Sequence, residues 1–79
     1  MNAQAPLSYD EARDLANDVD PEVRRNLAAR EDLTAEILYF LAEDKDAEVR
    51  RTVAANASAP RQTHTLLAKD KDEEVRFGL

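Results

Sequence analysis

The stretch DPEVRRNLAA, Asp20–Ala29, returns as DAEVRRTVAA at Asp46–Ala55 and, shortened, as DEEVRFGL at Asp72–Leu79, with a spacing of 26 residues each time. Working outward, residues 15–40 set over residues 41–66 agree at 10 of 26 positions without a gap, and residues 67–79 continue in register. Leu15/Leu41/Leu67, Ala16/Ala42/Ala68, Asp18/Asp44/Asp70, Asp20/Asp46/Asp72, Glu22/Glu48/Glu74, Val23/Val49/Val75 and Arg24/Arg50/Arg76 form the shared columns. Residues 7–14 fit as the second half of an earlier unit, with Leu7 over Leu33 and Ser8 over Thr34. A period of this length is the mark of stacked supersecondary units, each unable to bury its apolar face alone.

Local chemistry makes each unit a helix pair. Asp20 can accept from the free amides of a first turn, Pro21 sits where a missing N–H costs nothing, and Glu22 complements the positive end of the helix dipole. The spacing predicts a helix from there to about Arg30, with Val23, Leu27 and Ala28 packing, and Asn56 as a left-handed cap at the equivalent end of the next copy. The other helix of each pair is expected to begin near Ser8, Thr34 or Pro60. Ser8 with Glu11 reads as a capping box, and Pro60 suits the first helical turn. In the middle copy Ile37, Leu38, Phe40 and Leu41 form a broad apolar face, with Phe40 expected in the core and Tyr39 on its flank. Ala28, Ala29, Ala54 and Ala55 are expected to let helices approach closely.

The predicted architecture is therefore all-α: a short α-solenoid of about three stacked helix pairs with a 26-residue repeat, forming one domain over residues 1–79. Its units are residues 7–14 (partial), 15–40, 41–66 and 67–79 (partial). The repeated DPEVRRNLAA and LAEDKDAEVRRTVAANASAP resemble leucine-rich repeat variant units and, more loosely, HEAT repeats. The chain is also similar to the N-terminal repeat region of an alphaproteobacterial family of larger proteins. That resemblance implies a bacterial origin, a superhelical array and a protein that extends beyond Leu79. In the variant family α and 3₁₀ helices alternate, and one branch carries a cysteine-ligated cluster. This chain has no cysteine, and Ala57 stands where a proline commonly follows the asparagine. The resemblance leaves the EVRRTVAAN segments open between α and 3₁₀; their alanine content favours α.

Composition narrows the function. A chain of 79 residues removes only about 60% of its unfolded surface from water, so its core must be economical. The absence of cysteine rules out disulfides and thiolate metal sites and fits a cytoplasmic setting. No apolar run long enough to span a membrane is present, and no leader is read at Met1. Seventeen acids against eleven bases give a formal net charge of −6, which repels a phosphate backbone on average.

The acidic columns resemble the opening of a calcium loop, but the required glycine and bidentate glutamate would fall on Val23 and Ala29, or on Val49 and Ala55. No metal or cofactor is therefore expected. His64 is the only histidine and takes the place of Leu38 in the previous copy; Gly78 is the only glycine, so no phosphate-cradling loop exists. The carboxylates recur in every copy, as a repeat requires, and no catalytic residue is assigned.

Two columns remain as candidate binding features. Asp18, Asp44 and Asp70 with Arg24, Arg50 and Arg76 read as a structural ladder in which an arginine of one copy meets an aspartate of its neighbour. Arg25 and Arg51 lie outside that ladder, and Phe77 interrupts their column; together with Tyr39 they are the candidate partner-binding residues. The predicted role is a non-catalytic protein-interaction or scaffolding module. Nucleic-acid binding through the arginines, or a purely structural capping segment, are the alternatives. Leu67, Val75, Phe77 and Leu79 read as an apolar end left uncovered, from which weak self-association is expected.

Overall fold

The computed structural model describes residues 6–78, and the expectation for Leu79 lies outside them. Among the described residues there are six α-helices and no strand: α1 (Tyr9–Ala16), α2 (Pro21–Ala28), α3 (Ala35–Ala42), α4 (Ala47–Ala55), α5 (Arg61–Leu67) and α6 (Glu73–Phe77). The chain measures 35 × 24 × 22 Å. Helices α1, α3 and α5 form one layer, each touching the next, and α2, α4 and α6 form the other. The second helix of every pair is α rather than 3₁₀.

Caps set the boundaries. Ser8 and Glu11 form a reciprocal capping box on α1, and Thr34 accepts from the Ile37 amide at the start of α3. Asp20, Asp46 and Asp72 each accept from the amide two residues on, opening α2, α4 and α6. Two expectations shift. Pro60 is the residue before α5 rather than within its first turn, its extended backbone (ψ 165°) being the conformation that leads a chain into a helix. α2 stops at Ala28, and Arg30 lies beyond it, paired with Asp32 at 2.7 Å.

The core lies between the layers. Leu38, Leu41, Val49, Val53, Leu67 and Val75 are fully buried, with Ala12, Ala16, Ala28, Ala42 and Ala54 allowing the helices to approach, so Leu67 and Val75 belong to the core and not, as expected, to an uncovered apolar end. Ala29 and Ala55, expected to share that task, are exposed, because each follows or ends a helix on its outer side.

Phe40 also departs from expectation: it is 49% exposed, and Tyr39 is 41% exposed. The inward stripe of α3 is Ile37, Leu38, Leu41 and Ala42. At about 100° per residue the middle of that stripe leaves positions 39 and 40 about 130° away on opposite flanks, so neither reaches the core. Thr63, in the column of Ile37, is completely buried, and its hydroxyl has no partner among the described residues.

This placement predicts a sharp contrast between neighbours on one helix. Leu41→Ala should cost about 2–5 kcal/mol, whereas Phe40→Ala, which empties no cavity, should cost less than about 1 kcal/mol. Urea unfolding of both variants checks it; comparable losses would return Phe40 to the core.

Candidate functional site

The loops that join α1 to α2, α3 to α4 and α5 to α6 lie along one edge, and the repeated aspartates and arginines meet there. Arg24 donates Nε to Asp44 Oδ2 at 2.7 Å and Nη2 to Asp44 Oδ1 at 3.2 Å, while its Nη1 reaches the carbonyl of Asp18 at 2.6 Å. The same three bonds recur one unit later. Arg50 meets Asp70 at 2.8 and 3.2 Å and the carbonyl of Asp44 at 2.8 Å. These arginines are buried, and the fork geometry satisfies the planar guanidinium on both edges.

Each aspartate is fixed by its own loop before the arginine arrives. Asp44 Oδ1 accepts from the Asp46 amide at 2.9 Å, Asp70 Oδ1 from the Asp72 amide at 2.8 Å and Asp18 Oδ1 from the Asp20 amide at 2.8 Å. Burial pushes the Asp70 carboxyl up, but the Arg50 fork and the Asp72 amide outweigh it and hold its pKa below the ordinary carboxylate value. The hydrogen bonds that Arg24 donates to Asp44 in turn raise the pKa of Arg24, which stays charged.

The outer arginines are half exposed and sit among acids. Arg25 lies 3.9 Å from Glu22. Arg51 bonds Glu48 one turn back and Glu74 of α6 at 2.7 Å, so it too spans two units. Phe77, in the same column, is 75% exposed, with the Arg76 guanidinium 6.0 Å from its ring centre.

Between successive loops lie two open grooves. The first, about 500 Å³, is lined by Ala16, Asn17, Asp18, Val19, Arg24, Phe40, Glu43, Asp44 and Lys45. The second, about 490 Å³, is lined by Ala42, Glu43, Asp44, Lys45, Arg50, Leu66, Lys69, Asp70 and Lys71. All nine positions of the first correspond, 26 residues on, to the nine of the second. Their floors are the same Arg–Asp contact and Lys45 lines both, but their walls differ: in place of the highly exposed Val19, Phe40 and Glu43 of the first, the second has Lys45, Leu66 and Lys69, so that it carries three lysines to the first groove's one. Among the described residues none of those three lysines is held in an ion pair with a carboxylate.

Tyr39 lines neither groove; the aromatic that does is Phe40, which also faces a smaller cavity of about 210 Å³ with Tyr9, Glu36 and Ile37. There the Tyr9 hydroxyl donates to Glu36 Oε2 at 2.9 Å, which raises its pKa. The grooves were not visible as grooves in the sequence, yet one signal for them was: the column Val19/Lys45/Lys71, read in the same register as the arginines.

Asn56 plays a part that its sequence position conceals. It is the C-cap of α4, as expected, but its backbone is extended (φ −79°, ψ 117°) rather than left-handed. The side chain is buried and donates to the carbonyls of Ala28 at 2.8 Å and Arg30 at 2.7 Å while accepting from the Ser58 amide at 2.8 Å. It thereby joins the ends of α4 and α2 on the edge opposite the arginines. One of the two carbonyls, that of Ala28, is among the last of α2, which no intrahelical amide reaches.

His64 is partly buried on α5, and no cluster of side chains able to hold a metal ion occurs among the described residues. No helix among them is long and apolar enough to cross a membrane. Comparison with protein-family models, curated protein sequences and solved structures returns no match.

A carboxyl whose pKa is lower in the folded than in the unfolded chain contributes stability that is present above about pH 4 and lost as pH falls through the folded value. Asp70, and Asp32 beside Arg30, are in that position. Stability measured by urea unfolding is therefore expected to drop between neutral pH and pH values below the ordinary carboxylate range. Asp70→Asn should be less stable at neutral pH and lose less on acidification; an equal loss in both proteins would remove Asp70 from the account.

Proposed function

We propose that this chain is a non-catalytic protein-binding module, built as a short α-solenoid of the HEAT-like or leucine-rich repeat variant kind, that works in the cytoplasm. The observation that carries the proposal is the pair of grooves whose lining positions correspond one for one at the 26-residue spacing. A repeated groove suits an extended partner that meets each unit in turn. The unlike walls give the partner its chemistry: an apolar side chain beside Phe40 and Val19, and a carboxylate beside Lys45 and Lys71.

The pairing of Arg24 and Arg50 speaks against the nucleic-acid alternative. Their guanidinium groups are buried on carboxylates, and with a net charge of −6 the remaining surface is acidic on balance. Arg25 and Arg51 are exposed enough to touch a partner but stand beside Glu22, Glu48 and Glu74, so they are better placed at the rim of a contact than at its centre.

A photo-crosslinking side chain placed at position 40 tests this reading in a lysate of the native host, against the same group at Ala57, an exposed loop position on the opposite edge. Position 40 should yield a discrete polypeptide adduct that survives nuclease, and Phe40→Ala should weaken the isolated interaction about tenfold or more. Adducts no more frequent at 40 than at 57, or adducts lost to nuclease, contradict it.

A further inference from the structure

All three lysines of the chain, Lys45, Lys69 and Lys71, line the second groove, in a protein whose formal net charge is −6. Each is exposed, and among the described residues none is held by a carboxylate. Two of the acids in the lining are committed elsewhere: Arg50 grips Asp70 at 2.8 Å, and Arg24 grips Asp44 at 2.7 Å. Glu43 is the one carboxylate of the lining that no arginine holds among the described residues. Three ammonium groups against one such carboxylate give this groove a positive potential within an acidic chain, and an anionic group is drawn to it.

The first groove lacks that bias. There Lys45 and Glu43 are opposed in charge, and the exposed Phe40 and Val19 stand beside them. One unit on, Lys69 occupies the position of Glu43. An acidic side chain is therefore directed to the second groove and an apolar one to the first. Both are interior positions of the series, because each is flanked by a loop on either side: α1 to α2 and α3 to α4 for the first, α3 to α4 and α5 to α6 for the second.

Resting on the reading of the grooves as a protein-binding surface, we propose that the bound segment is extended and carries an apolar side chain for the first groove and, three positions away, an Asp or Glu for the second. The spacing follows from the fold. Packed neighbouring helices lie about 8–10 Å apart, and the two grooves are separated by one such step. A polyproline II segment returns to the same side every three residues, after about 9 Å, and so meets both grooves at once. A β-strand shows one face at every second residue, about 7 Å apart, and falls out of step with them. The contact of the acid with exposed lysines contributes modestly to affinity, while Glu43 in the first groove sets which way round the segment lies.

Selection from a display library of random short peptides on the purified 79-residue chain tests the proposal, with the recovered sequences synthesised and titrated by fluorescence anisotropy. The peptides should share an apolar residue and an Asp or Glu three positions away. Lys69→Glu should weaken them about tenfold or more, and a peptide whose acid is replaced by lysine should bind that variant better than it binds the wild type. Lys71→Gln, which removes a charge without adding one, should weaken the acidic peptides in the same direction, and circular dichroism verifies that both variants keep their helices. Peptides that are lost with Phe40→Ala but lack the acid at that spacing, or that bind equally to both lysine variants, overturn this proposal and leave the protein-binding reading standing. A selection that yields no peptide sensitive to Phe40→Ala or to either lysine variant overturns both.

Discussion

Arg24 and Arg50 each cross from one helix pair to a carboxylate 20 residues ahead while holding a backbone carbonyl six residues behind. Because Asp44 supplies its carboxylate to Arg24 and its carbonyl to Arg50, the contacts join into one line through three loops. Removing two charges from water offsets much of their mutual attraction, so the line is a poor source of net stability. Its value is geometric. A fork that must meet three oxygens at once tolerates little sliding of one helix pair on the next, and an apolar core made of alanine, valine and leucine supplies no such directional restraint.

The rest of the molecule follows from that restraint. Fixed loops place Val19, Lys45 and Lys71 at equal intervals and so make two grooves of one shape with different walls. On the opposite edge Asn56 performs a matching task, binding two carbonyls of the preceding unit. With one edge held by arginine and the other by asparagine, the layers between can approach on Ala28 and Ala54 rather than on large side chains. A small chain thereby economises on core.

What could be read in the sequence was whatever depends on near neighbours or on the period. The second aspartate of each motif caps a helix through the amide two residues on, and residue type and spacing alone point to that. The neighbour-to-neighbour Arg–Asp pairing followed from the repeated columns and from the rule that buried charges are paired. Phe40 was misplaced because adjacency to Leu41 says nothing about which flank of the stripe a residue occupies; the inward direction of α3 is set by what packs on it. Asn56 was misread for a related reason. It caps α4 through its backbone N–H, while its side chain reaches 26 to 28 residues back, and only the position of the preceding unit reveals that reach. The grooves lay beyond the sequence because they are spaces between elements, although the lysine column that colours them was already in register.

The bidentate contact between neighbouring units acts as a coupled pair. A double-mutant cycle on Arg50 and Asp70, with Arg50→Met and Asp70→Asn singly and together and stability read from urea unfolding at neutral pH, tests it most directly. A coupling energy of about 1–3 kcal/mol is expected, with the double variant closer to either single variant than to their sum. Single losses that add to within about 0.5 kcal/mol would contradict it, since two groups that do not sense each other cannot hold the units in register.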